Sequence, residues 1–141
     1  MWSKNFRKCL IGAVYQNLFW ESFNNSDYSP DWSMIINENH NTDDTFTKEN
    51  LIEVYNVFLS KKLSYIENIM KYVNKWDKTF DLIKACLIVF LVEDEINTDP
   101  ENKLVGHYIK FAQDFAGGEN PALVHAVISK ILEAKSTPIE I

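Results

Sequence analysis

The sequence predicts an all-α protein, a bundle of about six to seven helices in one domain. Apolar residues recur at helical spacing along most of its 141 residues, as the buried stripes of packed helices do. Only four glycines and four prolines punctuate the chain, few for a fold of many short strands and turns. The stretch 85–92 alone has the look of a buried strand, but it has no second strand to pair with and reads as a central helix. With 46% hydrophobic and 13% aromatic residues, there is ample material for a single core.

The first helix is expected from Asn5 to Trp20. Phe6, Cys9, Leu10, Ala13, Val14 and Leu18 mark its apolar face, and Arg7, Lys8 and Gln16 fall opposite. Residues 21–46 are polar and turn-rich and read as a long connection with room for one helical turn. Its Phe23, Tyr28, Trp32, Met34, Ile35 and Ile36 are expected to pack onto the body. Thr47 offers an N-cap, with Glu49 in the first turn behind it. Leu51, Ile52, Val54, Tyr55, Phe58 and Leu59 follow at helical spacing, then Leu63, Ile66, Ile69, Met70 and Val73. The apolar face drifts across Ser60-Lys61-Lys62, which favours two helices meeting there.

The central helix lies within 78–96, apolar all round because neighbours surround it. Asp99-Pro100-Glu101 supplies an N-cap, a proline at the first helical position and an acid in the first turn. Leu104, Val105, Tyr108, Ile109, Phe111, Ala112 and Phe115 give the next helix its face. Gly117-Gly118 suits a C-terminal cap, where positive φ is needed. Asn120-Pro121 then opens a last helix with Leu123, Val124, Val127, Ile128, Ile131 and Leu132 on one side. The tail, 136–141, is expected to be loosely held.

A formal charge of -6 argues against a nonspecific DNA packager, though not against a local basic patch. Cys9 and Cys86 lack CxxC partners and read as buried thiols in a reducing compartment. No secretory signal is visible, and the apolar run 85–92 is far too short to span a bilayer. The expectation is a cytoplasmic protein that engages neither membrane nor DNA. His40, His107 and His125 form no metal-ligand spacing. Gly117-Gly118 lacks the rest of a phosphate-binding loop. No metal, cofactor or enzymatic step is therefore expected. Glu93, Asp94 and Glu95 cluster at a helix C-terminus, which the macrodipole disfavours. They mark either a binding surface or an end in which Glu93 turns to a partner group. Lys4, Arg7 and Lys8 gather at a helix start, where cations oppose the dipole, with Tyr15 two turns on. That set suits phosphate contacts and base stacking on single-stranded RNA. A solvated basic end is the alternative.

The order of segments resembles the NusB family of bacterial transcription antitermination factors, over nearly the whole length and best from Ile66 to Leu132. The C-terminal half carries the resemblance: Trp76, then KACLIVFLVED at 84–94, Asp99-Pro100, and LVGHYIKFAQDFAGGENPALVHAVISKIL at 104–132. Glu93 falls on the glutamate that closes the family's apolar helix, and Arg7 and Tyr15 on a basic and an aromatic position of its first helix. Gly106-His107-Tyr108 stands where the family has N-E-A, and Leu123-Val124-His125-Ala126 where it has F-V-N-G. The resemblance implies two packed helical subbundles in a single domain, 1–141. It also implies a factor that binds boxA-type RNA of ribosomal RNA transcripts together with ribosomal protein NusE. Such factors act on RNA polymerase as part of an antitermination complex, without catalysis. Lys4, Arg7, Lys8 and Tyr15 are the expected RNA-binding residues. The alternative is a diverged helical interaction module with weak or no RNA binding.

Overall fold

The computed structural model describes residues 2–23, 29–39, 47–96 and 101–136. They form six α-helices and no strand among the described residues. The helices are α1 (Lys4–Glu21), α2 (Trp32–Asn39), α3 (Lys48–Met70), α4 (Asp81–Ile96), α5 (Glu101–Phe115) and α6 (Asn120–Ser136). A short 3₁₀ turn, Trp76–Lys78, precedes α4. This is the all-α bundle that the periodicity predicts.

The helix α4 is the axis of the bundle. Ile83 and every residue from Ala85 to Glu93 are buried, because α1, α3, α5 and α6 all pack on it. Fully burying each large apolar side chain contributes roughly 1.5–3 kcal/mol, so the buried run of α4 supplies a large share of the core. Around it, α1, α2 and α3 contact one another as one group, and α5 and α6 pair as another. No helix among the described residues is long and apolar enough to cross a membrane.

Local chemistry sets the helix ends. Ser3 caps α1, its hydroxyl oxygen accepting the Phe6 N–H at 3.0 Å. Thr47 caps α3 as expected, accepting from the Asn50 N–H at 3.2 Å. Gly117 and Gly118 both sit at φ 61°, the left-handed conformation that glycine adopts without strain. The Ala116 and Gly117 N–H groups both donate to the Ala112 carbonyl, at 3.0 and 2.9 Å, and close α5. Asn120 then donates its side-chain amide to the Gly117 carbonyl at 3.1 Å. Asp99-Pro100 and residues 137–141 lie outside the described residues.

Two expectations are corrected. The segment expected as two helices is one, α3, running unbroken through Ser60-Lys61-Lys62. The drift of its apolar face has a physical cause. Leu51, Tyr55, Phe58, Tyr65 and Ile69 face the core, whereas Leu59, Leu63 and Met70 form a second stripe exposed to solvent. The connection after α1 also holds more than one helical turn. Its α2 runs for eight residues, with the Asp31 carboxylate accepting the Met34 N–H at 3.1 Å. Trp32 meets Tyr55 edge-on at 5.2 Å, and Ile35 is buried. Met34 and Phe23 do not join the core and stay exposed; Tyr28 lies outside the described residues.

Candidate nucleic-acid interface

Arg7 follows Phe6 on the core side of α1 and is itself buried. A buried guanidinium needs a partner, and α4 supplies Glu93, fully buried in an otherwise apolar run. Arg7 Nε donates to Glu93 Oε1 at 2.7 Å and Nη2 to Oε2 at 2.8 Å. This is the forked geometry that makes arginine–carboxylate pairs strong. The Tyr108 hydroxyl of α5 donates to Glu93 Oε1 at 2.7 Å. One carboxylate thus ties α1, α4 and α5 together. Burial alone would lower the Arg7 pKa, but the Glu93 hydrogen bonds and charge outweigh it and raise it. Burial pushes the Tyr108 hydroxyl well above its ordinary value, and the Glu93 charge adds to the effect.

The other two acids of the cluster are partnered as well. Asp94 pairs with Lys135 of α6 at 2.9 Å. Glu95 pairs with Lys61 of α3 and accepts the Tyr65 hydroxyl at 2.9 Å. Three elements therefore neutralise a charge run that the α4 dipole alone would disfavour, which accounts for its oddity in the sequence.

Above the triad, α1 and α5 both rest on α4 and leave a groove of about 370 Å³ between them. Trp2, Lys4 and Lys8 line one side, and Gly106, Phe111 and Phe115 line the other. Lys4 is exposed and Lys8 half-buried. The Lys8 ammonium lies 4.9 Å from the Phe115 ring centroid, across the groove, within cation–π range. Neither Lys4 nor Lys8 has a carboxylate partner among the described residues. Asp114, on the α5 rim, pairs with Lys110 at 3.5 Å.

The structure divides the four expected RNA-binding residues. Lys4 and Lys8 stand at the groove. Arg7, expected on the polar face as a phosphate contact, is turned inward, lines the groove as a buried side chain and is held by Glu93. Tyr15 lies on the same face of α1 as Lys4 and Lys8, about 10 Å farther along the axis at 1.5 Å per residue. It lines a separate depression with Phe19, Trp20 and Met34. Tyr15 and Phe19 stack at 6.3 Å, and Phe19 meets Trp20 at 5.5 Å and Phe23 at 5.1 Å. This exposed aromatic cluster was not singled out from the sequence, although the density of rings in YQNLFWESF signals it. The α5 wall of the groove, with Gly106, Phe111 and Phe115, was missed as well, since nothing in the local pattern joins it to α1.

His107 on the groove wall and His125 on α6 are both exposed, and His40 lies outside the described residues. No group of three or more metal-ligating side chains forms among the described residues. Both cysteines are buried, and burial raises the Cys86 thiol far above its ordinary value, which holds it in the unreactive protonated form. The chain matches no family model, no curated protein and no solved structure. A functional reading therefore stands on its own residues.

Proposed function

We propose that this protein is a NusB-like antitermination factor that binds boxA-type RNA together with ribosomal protein NusE in the cytoplasm. The observation that carries the reading is the single face of α1 on which Lys4, Lys8 and Tyr15 lie in line. Two cations without carboxylate partners among the described residues, followed by an aromatic ring, suit a single strand whose phosphates need charge and whose bases need stacking. In this reading Lys4 and Lys8 contact phosphates and Tyr15 stacks a base. Arg7 is a positioning residue that fixes α1 against α4. The RNA polymerase complex is the setting the resemblance implies.

A titration of boxA-like RNA, with and without NusE, tests the proposal. Tight, sequence-dependent binding that strengthens with NusE supports it. A second reading, a helical protein-interaction module, is favoured by the solvent-facing stripe of Leu59, Leu63 and Met70, exposed by 44%, 74% and 48%. Contiguous exposed apolar patches mark protein contact sites. Binding to NusE without any affinity for RNA would establish the module and remove the adaptor role.

A further inference from the structure

We propose that the groove between α1 and α5 receives one unstacked nucleotide, with its phosphate at Lys4 and Lys8 and its base against Phe111 and Phe115. The inference rests on the RNA reading of α1 and adds a subsite on a different helix. Volume is the first argument. At about 370 Å³, the groove lies near the lower end of small-molecule sites, roughly 300–1,000 Å³. It has room for one base and its sugar.

The chemistry of the walls is the second argument. The Phe111 and Phe115 rings lie 4.8 Å apart, tilted by 30°, and a base against Phe115 would take the place of the Lys8 ammonium that lies over that ring. Phe115 is half exposed despite its size. Trp2 faces them across the groove. Planar bases stack on such surfaces whatever their sequence. Lysines and rings line both walls, Lys4, Lys8 and Trp2 on the α1 side and Lys110, Phe111 and Phe115 on the α5 side, a mixture that suits a ligand with an anionic part and a flat apolar part. The carboxylate on the rim, Asp114, is already engaged by Lys110.

Gly106 supplies the third argument. It sits inside α5, where glycine costs roughly 0.5–1 kcal/mol relative to alanine. A Cβ built there meets nothing within 4 Å, so packing within the protein does not require glycine. What its bare backbone provides is open space along the groove wall. Beneath, the Arg7–Glu93–Tyr108 triad fixes the spacing of the two walls through α4, so the site is formed before a ligand arrives.

The same property makes Gly106 the place to test the idea. Gly106→Leu raises helix propensity while filling the groove. We expect its melting temperature to be no lower than wild type. Its affinity for a labelled single-stranded RNA dodecamer, read by fluorescence anisotropy, should fall about tenfold, the scale of one base stack. The salt slope should stay as in wild type. Phe115→Ala, at an exposed position, should give a similar loss and serves if the first variant folds poorly. Wild-type affinity in both variants overturns the groove proposal. If Lys4→Ala/Lys8→Ala still weakens binding in that case, the RNA reading of α1 survives it. If that variant is neutral too, both fail. Unlabelled nucleoside monophosphates at millimolar concentration separate the two sources of the ligand. Displacement of RNA from wild type assigns the groove to free nucleotides as well as to RNA. No displacement, with the Gly106→Leu loss intact, assigns it to a nucleotide within a chain.

Discussion

Replacing Glu93 with leucine should be among the most damaging single changes in this protein. Glu93 is fully buried, and it holds both the Arg7 guanidinium and the Tyr108 hydroxyl. Glu93→Leu leaves Arg7 charged, with its side chain only 7% exposed and without its carboxylate. Breaking one partner of a buried pair costs about 3–5 kcal/mol. A domain of this size has on the order of 5–15 kcal/mol in all, so the variant should be close to unfolding at moderate temperature. Arg7→Met strands the carboxylate instead and should cost a similar amount. The double variant, Arg7→Met/Glu93→Leu, removes both charges and should recover at least about 2 kcal/mol relative to either single change. Urea unfolding followed by circular dichroism gives the three values and the coupling energy. Single-variant losses below about 1 kcal/mol, the scale of an exposed ion pair, would refute the view that the pair is a buried strut. The double variant also tests the role of Arg7. As a positioning residue it should leave the salt slope of RNA binding unchanged. If Arg7 instead touched a phosphate, removing it should lower the slope by about 0.7.

Three further outcomes follow from the same packing. Ser60→Pro should cost about 3 kcal/mol or more in urea unfolding, because α3 is continuous there and proline removes a helical hydrogen bond; a neutral result would mean that two helices meet at that point. Gly117→Ala should cost about 1 kcal/mol because φ is 61°, and a stabilising effect would contradict the left-handed cap. The hydrogen bond from Lys61, aided by that from Tyr65, holds the Glu95 carboxyl below its ordinary range. Its contribution to stability is therefore complete above the ordinary glutamate pKa and is lost as pH falls through the depressed folded value. Lys61→Met should shift acid unfolding to higher pH, and an unchanged acid midpoint would show that the pair does nothing for stability.

Helix type was legible in the sequence because the long helices around α4 each bury one stripe at the 3.6-residue period, whereas α4 is buried all round. The exceptions have physical reasons. In α3, Leu59, Leu63 and Met70 face solvent, so a pattern reading that assumes apolar means buried inserts a bend that is not there. In α2, eight residues are too few for periodicity to stand out from a loop. Arg7 shows the limit most clearly. Local pattern puts it on the polar face, because its partner Glu93 lies 86 residues away. The available signal was the converse one, a glutamate at the end of a continuous apolar run, which requires a cation from elsewhere. For the candidate site, Lys4, Lys8 and Tyr15 were readable as one face of α1. The groove was not, because it arises where α1 and α5 both rest on α4, a relation that no local spacing encodes.

The central claim is that α1 holds RNA through Lys4 and Lys8. The salt dependence of RNA binding by wild type and by Lys4→Ala/Lys8→Ala tests it most directly. With both ammonium groups removed from the phosphates, the slope of log affinity against log salt should flatten by about 1.4, at about 0.7 per phosphate neutralised on a single strand, and affinity should fall most at low salt. An unchanged slope and affinity in a folded double variant would contradict the claim.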